Sequence, residues 1–352
     1  MKDFVDLRSD TVTTPSRAMR EAMRDAAVGN AAWGEDPTVR RLEEESAAAV
    51  GMEAALFVPS GTMANQVACR VWTSRRMNPE VILEAKSHIY LNESAGLAVV
   101  SGAQAVPIPG SRGAMDPAAV EAAIRTDYYL KPMTALVCVE NTHNYAGGAV
   151  VPITNLRAVR DVAQRHGLPV HLDGARLFNA AAALGVDPAR IAEHADSLMF
   201  CFSKGLGAPV GSVVCGSAEF VREAERARAL LGGAMRQAGV IAAPALLALR
   251  EGPRRLREDH ENARRLAEGL ARIDGLALDP QAVETNIVLF DVSALGMSAK
   301  AFCERMRAAG AGYSVTGPSQ ARAVTHVDVD RSDVEAAIAL TAETVAAIRK
   351  ST

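Results

Sequence analysis

The sequence predicts an α/β protein in which a mostly parallel seven-stranded sheet is followed by a smaller α+β region. Between about residues 50 and 215, short β-rich runs alternate with stretches of helical periodicity, which is the pattern of βαβ units. Several of these runs are apolar without alternation, as expected for strands that are buried on both faces. The chain of 352 residues is also longer than a typical single small domain.

The elements of the large region follow one another in a regular order. Helices are predicted over 37–50 and 155–166, where apolar residues recur at helical spacing. The seven predicted strands are 54–58, 81–83, 105–108, 134–139, 168–172, 197–202 and 211–215.

The character of the sequence changes after about residue 250. The predicted elements there are a charged helix over 253–273, a strand over 286–290, a helix over 298–309, a strand over 322–326 and a final helix over 331–349. We therefore expect a large domain over 15–250 and a small domain over 251–352, with a segment 1–14 that contributes to the active site.

The composition excludes several classes of partner. The net charge is −3 and no long block of like charge occurs, so a nucleic-acid partner is not expected. The longest apolar runs, such as 181–186, are far shorter than the roughly 20 residues that span a bilayer. Five cysteines without a C-x-x-C pair predict reduced thiols in a cytoplasmic protein. A small-molecule partner is expected, and no metal site is predicted.

Four predicted strands are followed by residues that suit chemistry better than a plain turn. Ligands of open α/β sheets bind beyond the carboxyl ends of the strands. Strand 54–58 is followed by a Ser-Gly-Thr turn at 60–62, and strand 81–83 by His88. Strand 168–172 is followed by Asp173 and strand 197–202 by Lys204, one of only six lysines in the chain.

These groups match the needs of pyridoxal phosphate. A helix-opening turn binds phosphate, a lysine forms a Schiff base, and a carboxylate pairs with the pyridinium nitrogen. Each group has a simpler alternative, because Asp173 alone could be a helix N-cap, residues 60–62 only a turn, and Lys204 a strand-end lysine that reaches solvent. Their occurrence together at successive strand ends favours the cofactor.

Longer motifs carry a resemblance to a known family. The motifs are D-L-R-S-D-T-V-T (6–13), G-E-D-P-T (34–38), F-V-P-S-G-T-M-A-N-Q (57–66), E-N-T-H-N (140–144), H-L-D-G-A-R-L-F-N-A (171–180), S-L-M-F-C-F-S-K-G-L-G-A-P-V-G-S (197–212) and M-R-Q-A-G (235–239). In these motifs the chain resembles the low-specificity L-threonine aldolases, which are pyridoxal-phosphate enzymes of fold type I, the aspartate-aminotransferase-like fold.

The resemblance implies roles for the cofactor-binding residues. Lys204 would hold the cofactor as a Schiff base, Asp173 would pair with the pyridine nitrogen, and His88 would stack on the ring. Gly61 and Thr62 would bind the phosphate.

It also implies a site for the amino-acid substrate and an assembly. Arg176 would reach the cofactor's phenolic oxygen or the substrate carboxylate, and Ser9 and Arg322 resemble the rest of a carboxylate clamp. Arg236 resembles a residue that reaches the phosphate in a neighbouring subunit. A homotetramer built from catalytic dimers is therefore expected.

The implied reaction is reversible retro-aldol cleavage of L-threonine, L-allo-threonine and related β-hydroxy-α-amino acids to glycine and an aldehyde. His88, His143 or a water between them would remove the proton of the β-hydroxyl. His143 could equally shape the substrate pocket.

Two positions depart from the family pattern. Trp33 stands where relatives often carry tyrosine, and Ala229 where they often carry lysine. A wider, less polar pocket would favour β-aryl substrates such as phenylserine. The alternatives are another activity on the same scaffold, namely a β-eliminating lyase, an aminotransferase or a racemase, or a non-catalytic binding protein.

Overall fold

The computed structural model describes residues 4–125 and 129–350, so the first three residues of the predicted segment 1–14 and the last two of the predicted small domain lie outside it. The described strands are β1 Val5–Asp6, β2 Ala54–Val58, β3 Pro79–Glu84, β4 Gln104–Ile108, β5 Gly110–Ser111, β6 Ala114–Met115, β7 Met133–Glu140, β8 Val170–Asp173, β9 Ser197–Cys201, β10 Ser212–Gly216, β11 Ile287–Asp291, β12 Ala311–Gly312, β13 Ser314–Val315 and β14 Gln320–Val324. The described α-helices are α1 Arg17–Arg24, α2 Pro37–Ala49, α3 Gly61–Thr73, α4 His88–Leu91, α5 Gly96–Val99, α6 Pro117–Ala123, α7 Ile153–Arg165, α8 Leu177–Leu184, α9 Ala189–Ala192, α10 Ala218–Leu230, α11 Gly239–Glu251, α12 Leu256–Leu270, α13 Ala299–Ala309 and α14 Arg331–Lys350.

The central sheet contains all seven predicted strands, each within two residues of its predicted bounds. Its order is β2-β10-β9-β8-β7-β3-β4. The strands from β9 to β4 pair in parallel, whereas β10 is antiparallel to both of its neighbours. The short connection from β9 to β10 explains this reversal, because a parallel crossover needs a dozen or more residues.

The sheet is buried on both faces, as its uninterrupted apolar runs predict. Every residue of β9 and of β10 is buried. Helices α2 and α11 pack together on one side of β2, and α3 and α10 pack on the other face of the sheet. The carboxyl ends of β3, β7, β8 and β9 therefore open at a single edge, where a ligand is not covered by helices.

The C-terminal region has its own sheet and core. Strands β11, β14 and β13 form an antiparallel sheet against which α12 and α13 pack, and α14 packs on these two helices and on β1 and β12. One large apolar cluster ends along the chain at Leu256, and a second contains Val5, Leu7 and residues from Ala263 onward. This change supports the predicted division near residue 250, but the domain bounds stay a prediction.

The amino-terminal segment packs onto the C-terminal region. Strand β1 pairs in parallel with β12, and Val5 and Leu7 belong to the second apolar cluster. The Val324 amide donates to the Leu7 carbonyl at 2.8 Å. Residues 8–11 are thereby carried to the edge of the central sheet.

In the described part of the chain, no helix combines the length and the apolarity that crossing a membrane requires.

Candidate active site

A cavity of about 340 Å³ lies at the carboxyl edge of the central sheet. It is formed where β2, β8 and β9 end, together with the segment after β3. Five residues predicted from the sequence line it, namely Gly61, Thr62, His88, Asp173 and Lys204. The structure therefore brings five of the seven predicted cofactor-binding residues together, whereas Arg176 and Arg236 do not line this cavity.

The turn before α3 presents free backbone amides. The Ser60 hydroxyl accepts from the Met63 amide at 3.2 Å, and the Ser60 carbonyl accepts from the Ala64 amide at 3.1 Å. This leaves the amides of Gly61 and Thr62 without an acceptor among the residues described. Free first-turn amides and the helix dipole together favour an anion.

Gly61 is required by close packing rather than by its backbone angles. A Cβ atom at this position would lie 2.8 Å from the Cys201 Sγ atom on β9. Glycine therefore lets the start of α3 approach the end of β9, which holds the amides of the turn against the cavity.

Lys204 presents an unpaired amine. It lies three residues beyond β9, is half-buried, and lines the cavity. Within residues 4–125 and 129–350, no carboxylate or carbonyl pairs with its side chain. A half-buried amine that lacks an ion-pair partner is poorly placed for a structural role and well placed to react.

Asp173 is the last residue of β8 and is 2% exposed. Its Oδ1 atom accepts from the Ala175 amide at 3.1 Å, and its Oδ2 atom accepts from Asn65 Nδ2 at 2.9 Å. The next helix, α8, starts only at Leu177 and has Arg176 at its N-cap position, so Asp173 does not cap it. Both donors to Asp173 are neutral, which leaves the carboxylate charge available to a cationic group.

His88 opens α4 and faces the same cavity. Its Nδ1 atom lies 2.9 Å from Glu93 Oε1, whose side chain is fully buried. Burial alone would lower the pKa of His88, but the hydrogen bond to Glu93 raises it above its ordinary value. The imidazole is thus oriented by Glu93, and its Nε2 atom has no partner among the described side chains.

His88, Glu93 and Asp173 also form the one group of three potential metal ligands found among the described residues, with ligand atoms within 4.8 Å of one another. Their oxygen and nitrogen atoms already bond to one another and to Asn65, which donates to Glu93 Oε1 at 2.8 Å and to Asp173 Oδ2 at 2.9 Å. The group is therefore accounted for as a hydrogen-bond network.

Arg176 pairs with an aspartate that the sequence analysis did not single out. Its Nε and Nη2 atoms donate to the two carboxylate oxygens of Asp10, each at 2.7 Å, and both side chains are buried. Burial alone would raise the pKa of Asp10, but the Arg176 guanidinium lowers it to about 2. Ser9, the predicted clamp residue beside Asp10, accepts from the Thr11 amide at 3.2 Å.

Arg322 lies beside Arg176 with no carboxylate of its own. Its Nη1 atom donates to Asn144 Oδ1 at 3.1 Å, and Arg176 Nη1 donates to the same oxygen at 3.4 Å. Arg322 forms no ion pair with any residue the structure describes, and burial followed by the charge of Arg176 lowers its pKa. A half-buried guanidinium without a counter-ion is a ready site for a carboxylate.

His143 is placed differently from His88. It is 1% exposed, its Nε2 atom lies 2.9 Å from Glu84 Oε2, and it is not among the residues that line the cavity. Burial would lower the pKa of His143, but the hydrogen bond to Glu84 raises it. Its Nδ1 atom is buried without a partner among the described residues.

Arg236, Trp33 and Ala229 lie outside the cavity on exposed surface. Trp33 is 77% exposed, and the Arg236 carbonyl accepts from the Ala31 amide at 2.9 Å, which places both residues in one surface region. Neither side chain reaches the cavity of its own chain.

Sequence reasoning missed Asn65, Glu93 and Asp10 as site residues. Asn65 sits on the buried side of α3, between the buried residues Ala64 and Gln66, where an apolar residue is ordinary. An amide side chain at a buried helix position was the one feature of the sequence that could have indicated a role for Asn65. Glu93 and Asp10 lie in short irregular segments, where no periodicity marks a side chain as buried.

The residues around the cavity fit pyridoxal phosphate. The cofactor needs an anion cradle, an amine and a carboxylate for its ring nitrogen. The free amides of the 60–62 turn, the unpaired amine of Lys204 and the carboxylate of Asp173 supply these in one cavity.

Comparisons with known proteins identify the family of the chain. The model of the beta-eliminating lyase family matches residues 6–294. Low-specificity L-threonine aldolase 1 of Arabidopsis thaliana is 45% identical over 336 residues, covering 94% of this chain and 93% of the relative. Alanine racemase TOXG of Cochliobolus carbonum is 36% identical over 343 residues, covering 95% of this chain and 85% of that protein.

A solved structure shows the same fold. The threonine aldolase of Leishmania major superposes with a TM-score of 0.78 and 18% sequence identity, covering 97% of this chain and 99% of that one. The expected fold type and the expected family resemblance are confirmed by these matches. The chain belongs to the beta-eliminating lyase family.

Proposed function

We propose that this protein is a pyridoxal-phosphate-dependent L-threonine aldolase, which cleaves L-threonine, L-allo-threonine and related β-hydroxy-α-amino acids to glycine and an aldehyde. The observation that carries the proposal is the convergence of Lys204, Asp173, His88 and the 60–62 turn on one cavity. The similarity to a low-specificity L-threonine aldolase over 94% of the chain supports the choice of reaction.

The cofactor would be held at three places. The Gly61 and Thr62 amides would bind its phosphate, the Lys204 amine would anchor its aldehyde carbon, and the Asp173 carboxylate would pair with its ring nitrogen. When bound, pyridoxal phosphate supplies an electron-accepting ring that takes up the electron pair of the breaking Cα–Cβ bond.

The substrate carboxylate would be bound by arginine. Arg322 has no carboxylate partner among the described residues, and it shares Asn144 Oδ1 with Arg176. Because Asp10 neutralises Arg176, Arg322 carries the uncompensated positive charge. Binding a carboxylate here fixes the rotation about the Cα bonds, which selects the bond that breaks.

His88 is the best candidate to accept the proton of the β-hydroxyl. Its Nδ1 atom is engaged by Glu93, so its Nε2 atom is the one free to accept a proton inside the cavity. The acidic partner increases the basicity of the ring. His143 is bonded to Glu84 and does not line the cavity, so it is less suited to accept this proton than His88.

A second candidate function is amino-acid racemization. It is favoured by the relative named alanine racemase, which is 36% identical over 95% of this chain. A racemase and an aldolase need the same cofactor site, so the distinction depends on the products. D-alanine formed from L-alanine would support the racemase, whereas acetaldehyde and glycine formed from L-threonine support the aldolase.

We also propose a homotetramer of catalytic dimers in which Arg236 reaches the phosphate site of a neighbouring subunit. The exposure of Arg236 and Trp33, away from their own cavity, supports a role across a subunit contact. The mass in solution, together with loss of cofactor in Arg236→Ala, would test it. A cytoplasmic location is proposed because the five cysteines are buried and free.

The test of the proposed function uses the visible absorbance of the bound cofactor and the release of acetaldehyde from L-threonine. Lys204→Ala is expected to lose both signals, whereas Lys300→Ala, which removes an exposed lysine, keeps both. Turnover of phenylserine beside threonine tests the effect of Trp33 and Ala229 on substrate preference. Absorbance without aldehyde from any β-hydroxy-α-amino acid would contradict the aldolase assignment.

A further inference from the structure

A chain of hydrogen bonds, which begins at the half-buried Trp72 and is buried from Ser197 onward, runs between α3 and the central sheet to Asp173. The Trp72 indole nitrogen lies 2.8 Å from Ser197 Oγ, which lies 2.9 Å from His171 Nδ1. His171 Nε2 lies 3.1 Å from Asn65 Oδ1, and Asn65 Nδ2 lies 2.9 Å from Asp173 Oδ2. His171 and Asp173 are two residues apart on β8, so their side chains point to the same face of the sheet.

The two ends of this chain fix the direction of every bond in it. An indole N–H only donates, so Ser197 Oγ accepts from Trp72. At the other end, Asn65 Nδ2 faces two carboxylate oxygens, Asp173 Oδ2 at 2.9 Å and Glu93 Oε1 at 2.8 Å. Because carboxylates only accept, the Asn65 amide nitrogen must donate, and its Oδ1 atom must therefore face His171.

His171 is then restricted to one tautomer. Its Nε2 atom carries the hydrogen that is donated to Asn65 Oδ1, and its Nδ1 atom accepts from the Ser197 hydroxyl. Burial lowers the pKa of His171 to about 4, so the ring is neutral at neutral pH. All donors in the chain consequently point toward Asp173, and none of them brings a positive charge.

We propose that His171 and Asn65 are positioning residues that orient the Asp173 carboxylate through neutral hydrogen bonds and leave its charge uncompensated for the protonated ring nitrogen of the cofactor. An arginine or lysine in their place would orient the carboxylate equally well but would neutralise it. The inference rests on the proposed function, since it assumes that a pyridinium nitrogen binds at Asp173.

The test compares two substitutions of His171 by the affinity of the protein for pyridoxal phosphate, measured by titration of its visible absorbance. His171→Leu removes the donor to Asn65 Oδ1, so this buried oxygen loses its partner and the Asn65 amide is no longer held on the side opposite Asp173. We expect binding to weaken about 5- to 100-fold, as for a buried polar group left unpaired. His171→Gln places an amide N–H near the position of Nε2–H and is expected to remain within about 3-fold of the wild type.

A double-mutant cycle separates positioning from general support of the fold. In an Asp173→Asn background the carboxylate is gone, so His171→Leu is expected to weaken binding no more than about 2-fold further, because two residues that act through one hydrogen-bond network do not have additive effects. An undiminished penalty in that background, or equal losses in the Leu and Gln variants, would overturn the proposal.

A third measurement needs no substitution, in case His171→Leu does not fold. Nitrogen-15 spectra of the histidine-labelled holoenzyme should show His171 as the neutral Nε2–H tautomer across the pH range of activity. An Nδ1–H tautomer or a charged imidazolium would contradict the deduced direction of the chain. The outcomes stay separable from the proposed function, because a wild type that binds pyridoxal phosphate but cleaves no amino acid still tests His171, while loss of aldolase activity alone refutes only the reaction.

Discussion

The site holds two buried aspartates that are satisfied in opposite ways. Asp10 is paired on both oxygens by the Arg176 guanidinium, at 2.7 Å each. Asp173 receives only neutral donors, the Ala175 amide and Asn65. The charge of Asp10 is therefore neutralised within the protein, whereas the charge of Asp173 is available to a cation.

The difference extends to the arginines. Because Asp10 takes up Arg176, the neighbouring Arg322 remains without a carboxylate among the described residues. The protein thus offers a negative charge at Asp173 and a positive charge at Arg322. A ligand with a cationic ring nitrogen and an anionic carboxylate matches this polarity, and a neutral ligand does not.

Removing the negative charge of Asp173 is expected to have the largest effect. In Asp173→Asn the ring nitrogen loses its partner, and breaking a buried charge pair costs about 3–5 kcal/mol. We expect kcat/KM for threonine cleavage to fall at least about 100-fold. Asp187→Asn is the matched control, because Asp187 Oδ1 accepts from the amide two residues on at 2.9 Å but is exposed. Equal effects in the two variants would argue against a special role for Asp173.

Breaking the Asp10–Arg176 ion pair is expected mainly to lower the stability of the fold. Asp10→Asn leaves the Arg176 guanidinium buried without a counter-ion, and we expect the free energy of unfolding to fall by about 3 kcal/mol. Urea denaturation measures this change. If stability is unchanged while kcat/KM collapses, the pair serves the substrate and not the fold.

The same pair predicts a pH dependence. The pKa of Asp10 is lowered from 3.8 to about 2, so the folded state favours the charged form. The stability that it contributes is complete above about pH 4 and is lost as the pH falls toward about 2. The difference in unfolding free energy between the wild type and Asp10→Asn should therefore shrink on acidification, and a constant difference would rule out this titration.

Removing the positive charge of Arg322 should affect the substrate and leave cofactor binding unchanged. In Arg322→Leu the substrate carboxylate loses a charged hydrogen bond, which is worth about 1.5–3 kcal/mol. We expect kcat/KM to fall about 10- to 150-fold, through a higher KM and also a lower kcat, because the same contact fixes the bond that breaks. The visible absorbance of the cofactor provides the internal control and should be unchanged. A loss of absorbance would place Arg322 at the cofactor instead.

The smallest expected effect concerns the phosphate end. Ser60 caps α3 by accepting from the Met63 amide at 3.2 Å, and Ser217 caps α10 in the same way, from the Phe220 amide at 3.2 Å. Ser60→Ala and Ser217→Ala should each lower stability by about 1 kcal/mol. Only Ser60→Ala should also weaken cofactor binding, by about 5-fold. Weaker binding in both variants would indicate a general loss of stability.

The sequence was sufficient to predict the strands and the residues at their ends. A buried parallel strand leaves a mostly apolar run, and charged residues such as Asp173 and Lys204 stand at or just beyond its end. The apolar run of β10 does not show that this strand is antiparallel to β9, because strand direction depends on the length of the preceding connection.

The partners of the predicted residues could not be deduced. Asn65 contacts Asp173 across 108 residues of chain, and Asp10 contacts Arg176 across 166. Such contacts depend on how helices and strands pack and on side-chain rotamers, which no local pattern records. His143 illustrates the same limit, because its motif did not reveal that its ring is bonded to Glu84. The roles assigned to the site residues stay predictions until the variants above are measured.

The pairing of β1 with β12 has a consequence for how the protein is made. Val5 pairs with Ala311, and the Val324 amide bonds to Leu7, so the first strand has no partner until the chain has grown by more than 300 residues. At about 5–20 residues per second, a ribosome needs roughly 15–60 s to supply that partner. During this time Val5 and Leu7 lack the strands that cover them, and β14 is not yet present to hold the segment that carries Asp10. The residues proposed to bind the cofactor, up to Lys204, are synthesised before Arg322, which is proposed to bind the substrate carboxylate. A nascent chain is therefore expected to bind the cofactor before it can bind its substrate.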